Sequence, residues 1–240
     1  MKGVFVTGSN TGVGKTTVAI EIVRHISQTR DVKVRKPVET NCELSGQNYM
    51  PKDAIALSAA CQQQEDLKKV CPYCFEIEAS AEMASTESGK KLTLEDLALA
   101  CMCDIDESFV VVEGAGGLYS PIAEAALNVD LAIELQLPLL IVIRDELGAI
   151  SQALLTLEAA QKNKLTVACV VLNIVKSNNL SNKEALAAYT ETPIISFYQG
   201  DLEVFCSEIV PLVSDGYVVS LSLIPLLLFR RTSFCRPPCI

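Results

Sequence analysis

The sequence predicts an α/β fold, a mostly parallel β-sheet flanked by helices on both faces. Short apolar runs alternate with stretches of helical spacing, the order a sheet wrapped on both sides requires. The runs are continuously apolar rather than alternating, as strands buried on both faces should be. Scale agrees: 240 residues, 50% hydrophobic and 20% charged, suit one large, well-buried domain. No repeat or linker divides the chain, so a domain over residues 1–216 and an atypical tail over 217–240 are expected.

Taken in order, Gly3–Thr7 reads as the first strand and Lys15–Gln28 as the first helix. Between them lies Gly8-Ser9-Asn10-Thr11-Gly12-Val13-Gly14, followed by Lys15-Thr16-Thr17. Strand, glycine-rich turn and helix make a phosphate cradle: backbone N–H groups point inward, the helix start is positive, and a Lys adds a full charge. A Thr directly after that Lys can put its hydroxyl on the Mg²⁺ that accompanies a nucleoside triphosphate. The strict pattern wants Gly where Ser9 stands, and Gly8 lies one residue further back, so the spacing is a variant. The fold expected is therefore a single-domain P-loop NTPase.

Further strands are expected at Val32–Pro37, Phe109–Glu113, Leu139–Arg144, Val167–Asn173 and Ile194–Phe197. Helical spacing marks Lys52–Ala60, Thr93–Cys103, Leu127–Leu135 and Gly148–Lys162. Thr93 is placed to cap its helix, with Asp96 three residues on. The apolar segment Tyr217–Phe229 contains Pro225 and is too short to span a bilayer. It is expected to dock as a strand or helix, with Arg230–Ile240 disordered.

A net charge of −9 argues against a nucleic-acid partner, which favours a basic face. Anionic ligands must then be drawn in by a few placed lysines and helix ends. Met1-Lys2 leads straight into a strand, so no signal peptide is expected. The ten cysteines then read as reduced thiols of a cytoplasmic protein. Cys71-Pro72-Tyr73-Cys74 is the one CxxC; a zinc site would need a second pair or histidines, and His25 stands alone.

Chemistry-bearing residues gather at expected strand ends, where open α/β sheets bind ligands. Besides the phosphate turn there is Lys36-Pro37-Val38-Glu39-Thr40, whose Lys36 can reach the same crevice as Lys15. Asp53 begins a helix. Glu113 closes a strand and is followed by Gly114-Ala115-Gly116-Gly117, which permits close backbone approach. Two lysines, a Thr hydroxyl and two carboxylates suit a triphosphate with its Mg²⁺, since phosphoryl transfer needs mainly positioning and charge neutralisation.

These motifs resemble the ATP-dependent dethiobiotin synthetases, ring-closing ligases of biotin biosynthesis. The family's GT(D/N)TxxGKT is matched by Gly8–Thr16, its KPV by Lys36-Pro37-Val38, its helix-opening acid by Asp53 and its VEGAGG by Val112–Gly117. Order and spacing agree over about residues 3–175. The resemblance implies a homodimer converting 7,8-diaminononanoate, CO₂ and MgATP to dethiobiotin, ADP and phosphate, without nucleic acid or membrane. It implies Mg²⁺ on Thr16, Asp53 and Glu113, and phosphates wrapped by Gly12, Val13, Gly14, Lys15, Thr16 and Thr17. Lys15 and Lys36 would neutralise the carbamate and the transferring phosphoryl group. Thr40 would contact the diamine, and Gly114, Ala115, Gly116 and Gly117 would meet substrate or phosphate with their backbone. Asn173 would read the adenine edge, and Leu147, Gly148 and Ile150 would receive the substrate carboxylate across the dimer.

Two departures accompany the match. Ser151 stands where the family commonly has Asn, and Ser196-Phe197-Tyr198-Gln199 replaces a G-x-(I/L)-P that bears on the adenine pocket. The competing reading is a P-loop switch or partitioning ATPase. Such proteins carry a second Lys early in the loop, and Asn10 occupies that position here. An iron–sulfur electron-transfer ATPase would need dimer-face cysteines, and an amidase of the same core usually adds a glutamine-hydrolysing domain.

Overall fold

The structure, a computed structural model, describes residues 1–214. The tail expected over 217–240 lies outside the described residues. The chain opens with β1 (Lys2–Gly8), α1 (Lys15–Ile26) and β2 (Val32–Arg35). A smaller section follows: β3 (Val38–Glu39), β4 (Glu43–Ser45), β5 (Asn48–Met50), α2 (Lys52–Ala60), α3 (Leu67–Val70), β6 (Tyr73–Cys74), α4 (Ala81–Glu87) and α5 (Leu94–Met102). The sheet resumes with β7 (Phe109–Glu113), then β8 (Pro121–Ala123), β9 (Ala126–Leu127) and α6 (Asn128–Leu135). Last come β10 (Leu139–Arg144), α7 (Ala149–Lys162), β11 (Val167–Asn173), α8 (Asn182–Ala187), β12 (Ile194–Phe197) and α9 (Leu202–Ser214).

Among the described residues, the main sheet has the order β12-β11-β10-β1-β7-β2, and all neighbours are parallel. The chain travels outward to β2 on one side and through β10, β11 and β12 on the other, so its direction reverses around β1. Ligand crevices form at the carboxyl ends of strands at such a reversal.

Two apolar layers explain the continuous runs. Phe5, Val110, Val112, Leu139, Ile141, Ile143, Val170 and Leu172 face one layer, with side chains of α5, α6 and α7. Their neighbours Val4, Val6, Phe109, Val111, Leu140, Val142 and Val171 face the other, against α1, α2 and α9. Alternate side chains of a strand point to opposite faces, so both parities must be apolar when both faces are covered.

The strand expected over Val32–Pro37 ends at Arg35. The Lys36 N–H turns away to the Val70 carbonyl at 2.8 Å, and Pro37 has no N–H to give a ladder. Thr93 and Asp96 form the expected reciprocal cap of α5. Several helices escape sequence spacing: α3, α4 and α8 are too short to show a period, and α9 carries Pro211 inside it.

Candidate active site

The register of β1, β7 and β2 brings the sequence clusters together. Val6 lies opposite Glu113, and Arg35 lies opposite Val112, so Lys36 emerges beside Glu113 at the sheet's carboxyl edge. There a cleft of about 630 Å³ is lined by Gly12, Gly14, Lys15, Thr16 and Thr17 from the first turn and helix. Lys36, Thr40, Asp53, Glu113, Ala115 and Gly116 complete its chemically active wall.

Glu113 is the hub. It is fully buried, and its Oε1 accepts from Lys36 Nζ at 2.6 Å and from Thr16 Oγ1 at 2.8 Å. Lys36 Nζ also donates to Asp53 Oδ2 at 3.1 Å. Burial opposes the charge on Lys36, but Glu113 and Asp53 together outweigh it and hold the ammonium above the ordinary lysine range. Lys15 Nζ donates to the Asn10 carbonyl at 3.0 Å. Burial pulls its pKa down to about 8, opposed by Glu113 and aided by the positive Lys36. One lysine is thus locked in its charged form and the other is poised near neutrality.

Glu113 Oε2 is buried and has no hydrogen-bond partner among the described residues. A buried carboxylate oxygen without a partner is costly unless something cationic or a donor meets it. With the Thr16 hydroxyl and the half-exposed Asp53 carboxylate on the same cleft, it gives the oxygen-only donor set that Mg²⁺ takes alongside phosphate and water. These residues fit the ion.

Support for the site comes from residues with little sequence signal. Glu39 is buried, and its Oε1 and Oε2 accept from the N–H groups of Asp53 and Ala54 at 2.9 and 3.0 Å. It caps α2, whose own N-cap position is Pro51 and supplies no side-chain acceptor. Burial raises the Glu39 pKa, while these backbone donors and Lys36 oppose the shift. Asn128 Nδ2 donates to the Ala115 and Gly117 carbonyls at 2.5 and 2.8 Å, and Ser120 Oγ accepts from the Gly117 N–H at 2.8 Å. A Cβ at Gly117 would sit 2.9 Å from the Ser9 carbonyl oxygen, so only glycine lets the two loops meet. Ser9, where the strict phosphate pattern wants Gly, donates to Gln152 Oε1 at 2.7 Å and ties the turn to α7.

The structure does not bring every expected residue to the cleft. Val13 packs into the core, and Gly114 and Gly117 back the wall without lining it. Asn173, expected at an adenine edge, donates from Nδ2 to the Val13 carbonyl at 2.8 Å. It stands where a Cβ on Gly14 would come within 2.0 Å, so its side chain braces the turn. Leu147, Gly148 and Ile150, expected to serve the site of a second copy, lie at or just before the start of α7 and outside this chain's own cleft; Leu147 is 87% exposed.

Comparison with known proteins agrees with this architecture. Residues 2–197 match the family described as an AAA domain. The ATP-dependent dethiobiotin synthetase BioD of Ruthia magnifica is 49% identical over 205 residues, covering 85% of this chain and 95% of that protein. That of Vesicomyosocius okutanii is 47% identical, covering 85% and 94%. That of Bacillus thuringiensis is 32% identical over 212 residues, covering 84% and 86%. Among solved structures, a putative plasmid partition protein from Borrelia burgdorferi bound to AMPPNP is 13% identical at a TM-score of 0.52, covering 88% of this chain and 95% of that one. The MinC:MinD complex of Aquifex aeolicus is 16% identical at 0.50, covering 88% of each chain. Such distant likeness speaks to the fold alone, whereas identity at this level over most of both sequences speaks to the family. The chain belongs to the ATP-dependent dethiobiotin synthetases, built on a P-loop α/β fold.

Proposed function

We propose that the protein closes the ureido ring of dethiobiotin from 7,8-diaminononanoate, CO₂ and ATP, with Lys36 and Lys15 as its principal cations. The observation that carries this reading is the meeting of Lys36, Asp53, Thr16 and Glu113 over one cleft beside the glycine turn.

One diamine nitrogen attacks CO₂, loses a proton and becomes a carbamate. A carbamate oxygen then attacks the γ-phosphorus, ADP departs, and the second amine closes on the carbonyl carbon and expels phosphate. Each early step concentrates negative charge, so fixed cations in a water-poor cleft lower its barrier. Lys36, held charged, neutralises the carbamate and transferring phosphoryl oxygens. Lys15 reaches the triphosphate beside the inward N–H groups of Gly12–Thr17. Thr16, Asp53 and Glu113 would hold Mg²⁺, which would supply charge neutralisation on the phosphate oxygens. Thr40, with Ala115 and Gly116 of the glycine turn after β7, is the diamine side of the cleft.

The same reading makes the enzyme a cytoplasmic homodimer that uses small molecules and no nucleic acid. In support, the described cysteines are free thiols and the net charge is −9. No described helix is long and apolar enough to cross a membrane. Exposed Leu147, just before α7, and Leu155, with Ile150 and Leu154, give this end of α7 an apolar flank suited to a second copy. Light scattering of the purified protein should return twice the chain mass.

The deciding assay supplies labelled bicarbonate, MgATP and the diamine. Acid-stable label appearing only with all three is the expected result. ATP hydrolysis that ignores the diamine would instead identify a switch-type ATPase.

A further inference from the structure

The CxxC pair takes no part in lining the cleft, yet its geometry is organised. Cys71 and Cys74 sulfurs lie 3.7 Å apart, with Cys71 buried at the end of α3 and Cys74 partly exposed in β6. The Cys74 thiol also points to the Cys71 carbonyl at 3.5 Å. The two thiols are unequal: their mutual sulfur contact lowers the Cys74 pKa and, with burial, raises that of Cys71. A partly exposed, more acidic thiol beside a buried one is the asymmetry of a nucleophile and its resolving partner.

Its position ties it to the catalytic wall. β3 pairs with β6, setting Glu39 opposite Cys74. Immediately before the pair, the Val70 carbonyl accepts from the Lys36 N–H at 2.8 Å. Immediately after it, the Phe75 N–H donates to the Glu39 carbonyl at 3.0 Å, and the Phe75 carbonyl accepts from the Cys42 N–H at 2.9 Å. Residues 36–42, which bring Lys36, Glu39, Thr40 and Asn41 to the cleft, are therefore strapped to backbone on both sides of the two thiols. Bond formation must draw the sulfurs from 3.7 Å to about 2.05 Å, and the short ribbon has to absorb the difference.

We propose that Cys71 and Cys74 form a redox-modification site, closed by a small-molecule disulfide such as glutathione disulfide, and that closure lowers turnover by shifting the strap that carries Lys36. The Cys74 thiolate attacks one sulfur of the small disulfide, forming a mixed disulfide and releasing one thiolate. Cys71, giving up its proton to solvent, then attacks the Cys74 sulfur and releases the second thiol. The protein loses two protons and two electrons, and the small disulfide is reduced to two thiols. The turnover half of this proposal rests on the dethiobiotin synthetase reading; the thiol half does not.

The test equilibrates the full chain in graded glutathione buffers, quenches with an alkylating agent and digests with trypsin. The peptide Val70–Lys90 contains these two cysteines and no other. In oxidising buffer it should appear unalkylated and two hydrogens lighter, while turnover falls by up to about a hundredfold, the scale of a misplacement of a catalytic group by about 1 Å. Dithiothreitol should restore both. Cys74→Ser should keep reduced-state turnover and lose the sensitivity. Alkylation of both thiols in every buffer, or pairing of Cys74 with Cys42 or glutathione in place of Cys71, would overturn the site. A closed bridge with unchanged turnover would overturn the coupling. If the reduced protein makes no dethiobiotin, the proposed function fails by itself; the peptide still decides the site, and nucleotide affinity across the same buffers decides the coupling.

Discussion

Lys36 and Glu113 are mutually dependent at the level of single residues. Each is buried, and each supplies the opposite charge that makes the other's burial tolerable. Lys36→Met should therefore do two separate things. It should cost about 3 kcal/mol of stability, because Glu113 is left as an uncompensated buried carboxylate, and it should nearly abolish turnover. Adding Glu113→Gln should recover most of the stability but none of the turnover, a split readable by urea unfolding beside the carboxylation assay. Recovery of turnover in the double variant would remove Lys36 from the chemistry.

Lys15 makes a pH-dependent prediction at the same scale. Its pKa of about 8 in the free protein must rise when phosphate charges arrive, since opposite charge favours the ammonium. Nucleotide binding should thus take up a proton near pH 8–9, and affinity should weaken as pH rises through that window. Titration calorimetry in buffers of different ionisation enthalpy measures the proton count, and Lys15→Ala should bring it near zero.

Among the elements, α2 and the turn after β7 are held by side chains far away in sequence. Glu39 caps α2 from fourteen residues upstream of Asp53, so no local pattern around the helix announces the cap. Glu39→Ala should cost about 1 kcal/mol as a lost cap and raise the Mg²⁺ concentration needed for half-maximal activity, because the turn that presents Asp53 loosens. Asn128→Ala strands a buried and a part-buried carbonyl of the Gly114–Gly117 turn, a loss of about 2–3 kcal/mol. Its effect should fall on kcat/KM as well as on the thermal midpoint. Gly14 is a third such place: its φ of 97° and the adjoining Asn173 amide leave no room for a Cβ.

For the whole molecule, the cleft joins β1, β2 and β7, which are remote along the chain but adjacent in the sheet. Nucleotide bound across them stabilises the fold by mass action, about 2.7 kcal/mol at a hundredfold excess over Kd. For a chain of this length that is about 5–10 °C in Tm. The shift should require both Mg²⁺ and ATP and should vanish in Lys15→Ala; a shift confined to one cofactor would place the two in different sites.

The α/β class, the six main strands, the long helices apart from α9 and the identity of the charged groups were present in the sequence. Apolar runs, glycine turns and short motifs are local, and their physics acts over a few residues. The tertiary structure alone decided that Val6 meets Glu113 and Arg35 meets Val112, which delivers Lys36 to Glu113. It also set the Asn173 amide against the Val13 carbonyl as a brace, and gave α2 a cap from another strand. Such pairings depend on which strands lie side by side, and strand order is settled by the summed burial of both sheet faces rather than by any one segment.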